Sequence, residues 1–126
     1  MVIRCKVCGV VLTRPVELLA DESVLCREDA RPYIPEGQFW LSDGSYYPAG
    51  EWVANLADLV NTQLHPNSRR LNGCCGLDGC DGINRVCANG HEIGTERSDC
   101  WWAHGIHFEP SRVELTEVRS VDGDCR

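Results

Sequence analysis

The stretch "GEWVANLADLVNTQL", residues 50–64, decides how the fold is read. Trp52, Val53, Leu56, Leu59, Val60 and then Gln63 or Leu64 recur at the spacing of one helix face, and Pro66 stands two residues past the end. The pattern predicts an amphipathic helix over about 50–64, the only long periodic one in the chain. Its apolar face reads as core, because a chain of 126 residues needs that surface buried. Around it the sequence reads as short strands and turns. The expected fold class is therefore α+β: a small mixed domain of short antiparallel strands and hairpins with one amphipathic helix.

Working outward, residues 10–25 read as two short strands or a hairpin around the Asp21-Glu22-Ser23 turn. Residues 31–52 are rich in proline, glycine and aromatics, with one strand expected at 38–41 and a turn at Asp43-Gly44. Beyond the helix, Asn89-Gly90 between Val86-Cys87 and Ile93 signals a type I′ hairpin. Trp102, His104, Ile106 and Phe108 then alternate as on a strand, with Trp101, Ala103, Gly105 and His107 opposite. "PSRVELTEVRSV", residues 110–121, points two ways. Ser111 with Glu114 makes a capping box, while Val113 and Leu115 alternate like a strand. The whole reads as one zinc-stabilised domain, 1–126. Its parts are a knuckle and hairpin (1–31), a loop plus helix (32–73), a Cys/Gly-rich loop with hairpin and strands (74–121), and a tail (122–126).

With 43% hydrophobic and 25% charged residues, the chain has the composition of a soluble globular protein. Its apolar runs are too short to span a bilayer, and the first residues lack the apolar core and cleavage site of a secretory signal. A cytoplasmic location is expected, and there nine cysteines point to metal rather than disulfides. Twelve basic against 19 acidic residues give a net charge of −7. Residues 74–126 alone hold five Arg against ten Asp and Glu. That balance works against docking on a phosphate backbone and suits another protein, a basic one, as partner.

Cys5-Lys6-Val7-Cys8-Gly9 is the strongest local motif. A C-x-x-C-G turn sets two sulfurs at the separation one tetrahedral zinc requires. Cys26 is the natural third ligand. The fourth is either Asp29, at C-x-x-D spacing from Cys26, or one of Cys74 and Cys75. Adjacent residues in extended chain face opposite ways, so this pair is expected to divide. One thiol would close the first site and the other would join Cys80, Cys87 and Cys100 in a second. His91 competes for that second site, since Cys87-x-x-x-His91 brackets the hairpin turn. With Cys125 in the tail set aside, eight cysteines make two sets of four, so two Zn2+ ions, and at least one, are expected. Glycines at 73, 76, 79 and 82 suit a loop that bends sharply around an ion. The same run lacks the Lys and Ser/Thr of a phosphate loop and the alternating oxygens of a calcium loop.

"CKVCG" with its distant partners resembles the zinc-ribbon and treble-clef class of small metal modules, over the first 30 residues and a few later cysteines. The resemblance implies structural zinc; modules of that class serve nucleic-acid binding, protein docking and scaffolding.

Catalytic signatures are missing. His91-Glu92 is not followed by a second His in H-E-x-x-H register, and the deaminase pattern is absent. His104 and His107 fall on opposite faces of the expected strand, and Cys100 is better read as a ligand than as a nucleophile beside Asp99. The expected function is that of a non-catalytic zinc-binding protein acting through protein–protein interaction, as an adaptor or an immunity/antitoxin-type inhibitor of a basic partner. One alternative is a nucleic-acid-binding zinc ribbon using Arg4, Lys6, Arg69 and Arg70; another is a zinc-dependent hydrolase. The aromatics Tyr33, Phe39, Trp40, Tyr46 and Tyr47 are expected either to contact the partner or to cap the core.

Overall fold

The computed structural model describes residues 1–118; the tail and Cys125 lie outside them. Among the described residues no helix exceeds three residues, and nine strands form two sheets. The expected helix over 50–64 is not there, and the α+β assignment is corrected to a mostly-β fold. In its place stand β4 (Trp52–Ala54), a 3-10 turn at Leu56–Asp58 and β5 (Thr62–Leu64).

Two asparagines and an aspartate explain the difference. The Asn55 carboxamide accepts from Ala57 N–H at 2.7 Å, starting a tight turn, and donates to Ile34 C=O at 2.8 Å. Asp58 is buried, accepting from Gly37 N–H at 2.7 Å on its carboxylate and from Arg14 N–H on its carbonyl. Asn61 takes a positive φ of 54° and donates to Val11 C=O. The local Asn55 bond favours a turn over helix, and the Asp58 and Asn61 bonds tie the segment to distant backbone at Gly37 and Val11. The apolar residues between them reach helical spacing by coincidence. Trp52-Val53-Ala54 are aromatic or small residues that fit a central strand.

β4 lies between β3 (Gln38–Leu41) and β8 (Gly105–Phe108), antiparallel to both. The large sheet runs β2-β3-β4-β8-β7-β6-β5, where β2 is Glu17–Leu18, β6 Arg85–Cys87 and β7 Glu92–Arg97. Of the alternation read over 102–108, β8 realises 105–108; residues 101–104 are turn and an isolated bridge. The expected N-terminal hairpin is not: β2 pairs parallel with β3, and Glu22–Val24 forms a 3-10 turn capped by Asp21. The ambiguous 110–121 stretch contributes a strand, β9 (Val113–Thr116), which pairs antiparallel with β1 (Val2–Cys5) as a separate two-stranded sheet.

Strand alternation sends apolar side chains to both faces of the large sheet. One face, carrying Ala54, Ile93, Ile106 and Phe108, packs on Ile3, Cys5, Leu12 and Val113 of the small sheet and its flank. The other carries Val53 under Tyr33, Ile34, Trp40, Tyr47 and Ala103. The aromatic run is thus mainly core: Tyr33, Phe39, Trp40 and Tyr47 are buried, and Tyr46 stacks between Tyr33 and Trp102. No helix among the described residues is long and apolar enough to cross a membrane.

Candidate metal centre

Two groups of metal-ligating side chains come together, at opposite ends of the β6–β7 hairpin. The first is Cys5, Cys8, Cys87 and His91, with all four donor atoms within 4.8 Å of one another. Cys5 ends β1, and the chain turns back at Gly9, whose φ of +76° lets its N–H reach Cys5 C=O at 2.8 Å. Cys87 ends β6 and repeats the device, with Gly90 at φ +86° donating to Cys87 C=O at 2.9 Å. The hairpin is not the expected type I′ turn, because Asn89 keeps a negative φ. Its backbone instead donates to Cys87 Sγ and its side-chain amide to Cys8 Sγ, both at 3.3 Å.

Cys8 Sγ lies 3.8 Å from Cys87 Sγ, and His91 Nδ1 lies 3.4 Å from Cys87 Sγ and 3.7 Å from Cys5 Sγ. Cys5 and Cys87 are buried, while Cys8 is exposed. The Asn89 amide, helped by Val10 N–H, holds the Cys8 thiol down at about 6, and burial pushes the Cys5 thiol up. Beside His91, Glu92 accepts from His65 Nε2 at 2.8 Å and from Arg70 Nη1 at 3.3 Å, fixing the start of β7. The Glu92 carboxyl is lowered by His65, with Arg70 and Arg112 adding to it.

The second group is Cys74, Cys75 and Cys100, again with donors within 4.8 Å. Here Asp99 organises the backbone. Its carboxylate accepts from the N–H groups of Cys74 (3.0 Å), Cys75 (3.0 Å) and Cys100 (2.7 Å). Those amides lower Asp99 to about 2. Cys75 and Cys100 sulfurs lie 2.8 Å apart. The hydrogen bond with Cys75, then burial and Asp99, push Cys100 up to about 12, and Cys75 likewise raises Cys74.

The grouping differs from the expected ligand sets. Cys74 and Cys75 do not divide between sites: chain curled around one carboxylate is not extended, and both thiols turn the same way. Cys87 belongs with Cys5 and Cys8, together with His91, because the β6–β7 turn lies against the N-terminal knuckle. Cys26 stands apart from both groups. Its N–H bonds Tyr33 C=O beside the far core and its Sγ approaches only Glu28, at 3.9 Å. Asp29, exposed, lies in neither group. Cys80 also falls outside the second group, with its Sγ 3.7 Å from Asp78 C=O.

His104 and His107 serve elsewhere: His104 Nε2 bonds Asp99 C=O, and buried His107 bonds Glu51. Asn89 and Asp99 are functional positions that the ligand pattern passed over. The clue to each was a side chain able to bond backbone or sulfur one or two residues from a cysteine. Compared with known protein families, curated proteins and solved structures, the chain shows no significant match.

Proposed function

We propose that this is a non-catalytic zinc protein that acts by binding another protein. The observation that carries the reading is the spacing within Cys5, Cys8, Cys87 and His91. A tetrahedral ion with Zn–S bonds of ~2.3 Å and a Zn–N bond of ~2.0 Å sets its donors ~3.8 Å apart for two sulfurs and ~3.6 Å for sulfur and nitrogen. The separations of 3.8, 3.4 and 3.7 Å bracket those values. Four protein donors leave no position for a reacting water, which is the mark of a structural site. Thiolates kept as ligands fit a reducing compartment, the cytoplasm.

The partner surface is assigned to the open edge of the large sheet. β2 is an edge strand whose outer side Met1 covers at Val16, accepting the Val16 N–H and donating its ammonium to the Val16 C=O. The Glu17 and Leu19 amides bond Gly37 and Phe39, so the pleat turns the Leu18 backbone outward beyond Met1. Beside it lies a groove of about 320 Å³ whose walls include Leu18, Val24, Glu17, Asp21 and Glu36. Leu18 and Val24 are 61% and 46% exposed. Apolar and acidic walls beside the outward-facing Leu18 backbone together suit a basic peptide with an apolar anchor, bonded along the edge at Leu18. Such a partner fits an adaptor or an immunity-type inhibitor. The nucleic-acid alternative has less behind it, since Arg4 bonds Thr116 and Gly9, and Arg70 bonds Ile83 C=O and Glu92.

Peptides selected from a random display library on the immobilised chain test the reading. Basic sequences with an apolar anchor, no longer held by the Glu17→Lys/Glu36→Lys variant, are expected. Selection of acidic peptides, or of none, would overturn it.

A further inference from the structure

Three thiols that converge need a fourth donor to close on a tetrahedral ion, and the surroundings of Cys74, Cys75 and Cys100 offer one. A cavity of about 550 Å³ opens beside the trio, its wall including Cys74, Cys80, Arg97, Asp99, Trp101 and Trp102. Of the donors near it, Asp99 is engaged by three amides and His104 by the Asp99 carbonyl. Asp78 accepts from Cys80 N–H at 2.9 Å. Cys80 Sγ is exposed, with only the long 3.7 Å contact to Asp78 C=O. It is the one thiol on that wall outside the trio.

The geometry points to a second, exchangeable ion of thiophilic divalent character, held by Cys74, Cys75 and Cys100 and completed by Cys80 swinging in across the cavity. The inference rests on the reading of the chain as a zinc protein and extends it to the trio. Asp99 fixes the backbone of three ligands in advance, while Cys80 stands on a separate turn held by Asn72 on Asp81 and by Asp78 on the Cys80 amide. It is therefore the Cys80 side chain, exposed and without a short contact, that must rotate toward the trio. Soft thiolate donors select zinc and similarly thiophilic ions over calcium or magnesium. The trio must spread for this, because 2.8 Å between Cys75 and Cys100 is shorter than the ~3.8 Å edge of a tetrahedral zinc site. A site that opens to load, with none of its three thiols buried, exchanges its ion with solvent more readily than the tetrad, in which Cys5 and Cys87 are buried.

Cobalt substitution in the full-length chain tests this, because the thiolate-to-cobalt charge-transfer band scales with the number of Co–S bonds. The wild type is expected to take two equivalents with the band of seven such bonds, three from the tetrad and four from this site. Cys80→Ser is expected to keep two equivalents, lose one bond's worth of absorption and bind the second ion at least about tenfold more weakly. Cys100→Ser is expected to lose the second equivalent while the first remains. An unchanged band and affinity in Cys80→Ser would overturn Cys80 as donor. A single equivalent that survives Cys100→Ser and disappears in Cys8→Ser would overturn the second site and leave the tetrad standing. A single equivalent sensitive only to Cys100→Ser would instead overturn the tetrad. Isolation of the chain under reducing conditions with Cys75 and Cys100 joined covalently, shown by peptide mass, would also overturn the proposal.

Discussion

In the tetrad the amides near the ligands point at sulfur, whereas in the trio they point at a carboxylate. Asn89 gives both its backbone and its side-chain N–H to Cys87 and Cys8, so negative charge on those sulfurs is stabilised before any ion arrives. Asp99 collects the amides of Cys74, Cys75 and Cys100, which positions three thiols but leaves their sulfurs crowded beside a negative charge. Burial differs in the same sense, with two of four tetrad ligands inside the core and none of the trio. The contrast separates a group whose sulfurs are stabilised as thiolates from one whose backbone is ordered while its sulfurs are crowded.

Breaking the tetrad is expected to have the largest effect. Structural zinc contributes on the order of 10 kcal/mol in finger peptides, against roughly 5–15 kcal/mol for the stability of a whole domain. Cys87→Ser is therefore expected to abolish the cooperative thermal transition and the first metal equivalent, read by calorimetry and elemental analysis.

A smaller loss is expected at Gly76, where an added Cβ would stand 2.3 Å from Ser98 C=O. Gly76→Ala must push the Cys74–Cys75 loop away from Cys100. A cost of about 1–3 kcal/mol is expected in a denaturant melt, together with loss of the second metal equivalent only.

Asp99→Asn sharpens the comparison further, because it keeps the shape and removes the charge. The carboxamide can accept through one oxygen only, so the Cys74 and Cys75 segment loosens. At least about tenfold weaker binding of the second ion is expected in a competition titration, with the first unaffected.

The smallest change is expected at Cys26→Ser, a partly exposed thiol outside both groups. Its melt should lie within about 0.5 kcal/mol of the wild type, with full metal content. Insolubility of this variant would return Cys26 to the ligand set.

How far the sequence carries the reader differs from region to region. The C-x-x-C-G knuckle is legible because its chemistry is local: two thiols and a glycine within five residues. The Cys87-x-x-x-His91 turn is legible as a turn, and His91 was visible as a candidate, yet nothing in the spacing says which distant knuckle it meets. That pairing depends on β1 lying beside β9 and on the hairpin packing against their sheet, both long-range facts. The stretch 50–64 misleads for a different reason. Apolar periodicity counts hydrophobic positions and ignores Asn55, whose side chain starts a turn at Ala57, and Asp58 and Asn61, whose side chains bond distant backbone at Gly37 and Val11. Cys74-Cys75 misleads because alternation assumes extended chain, and Asp99 bends it.

The contact between Cys8 and Cys87 spans 79 residues, and β1 waits for β9 in the same way, with Val2 opposite Thr116. On a ribosome the N-terminal thiols emerge long before either partner exists. They must stay reduced and unclaimed through most of synthesis, and the energetic reward for closing so large a loop comes only near the end. Protection of those thiols until residues 87–91 have been made, more than the sequence of the knuckle itself, would then govern how much of the chain folds.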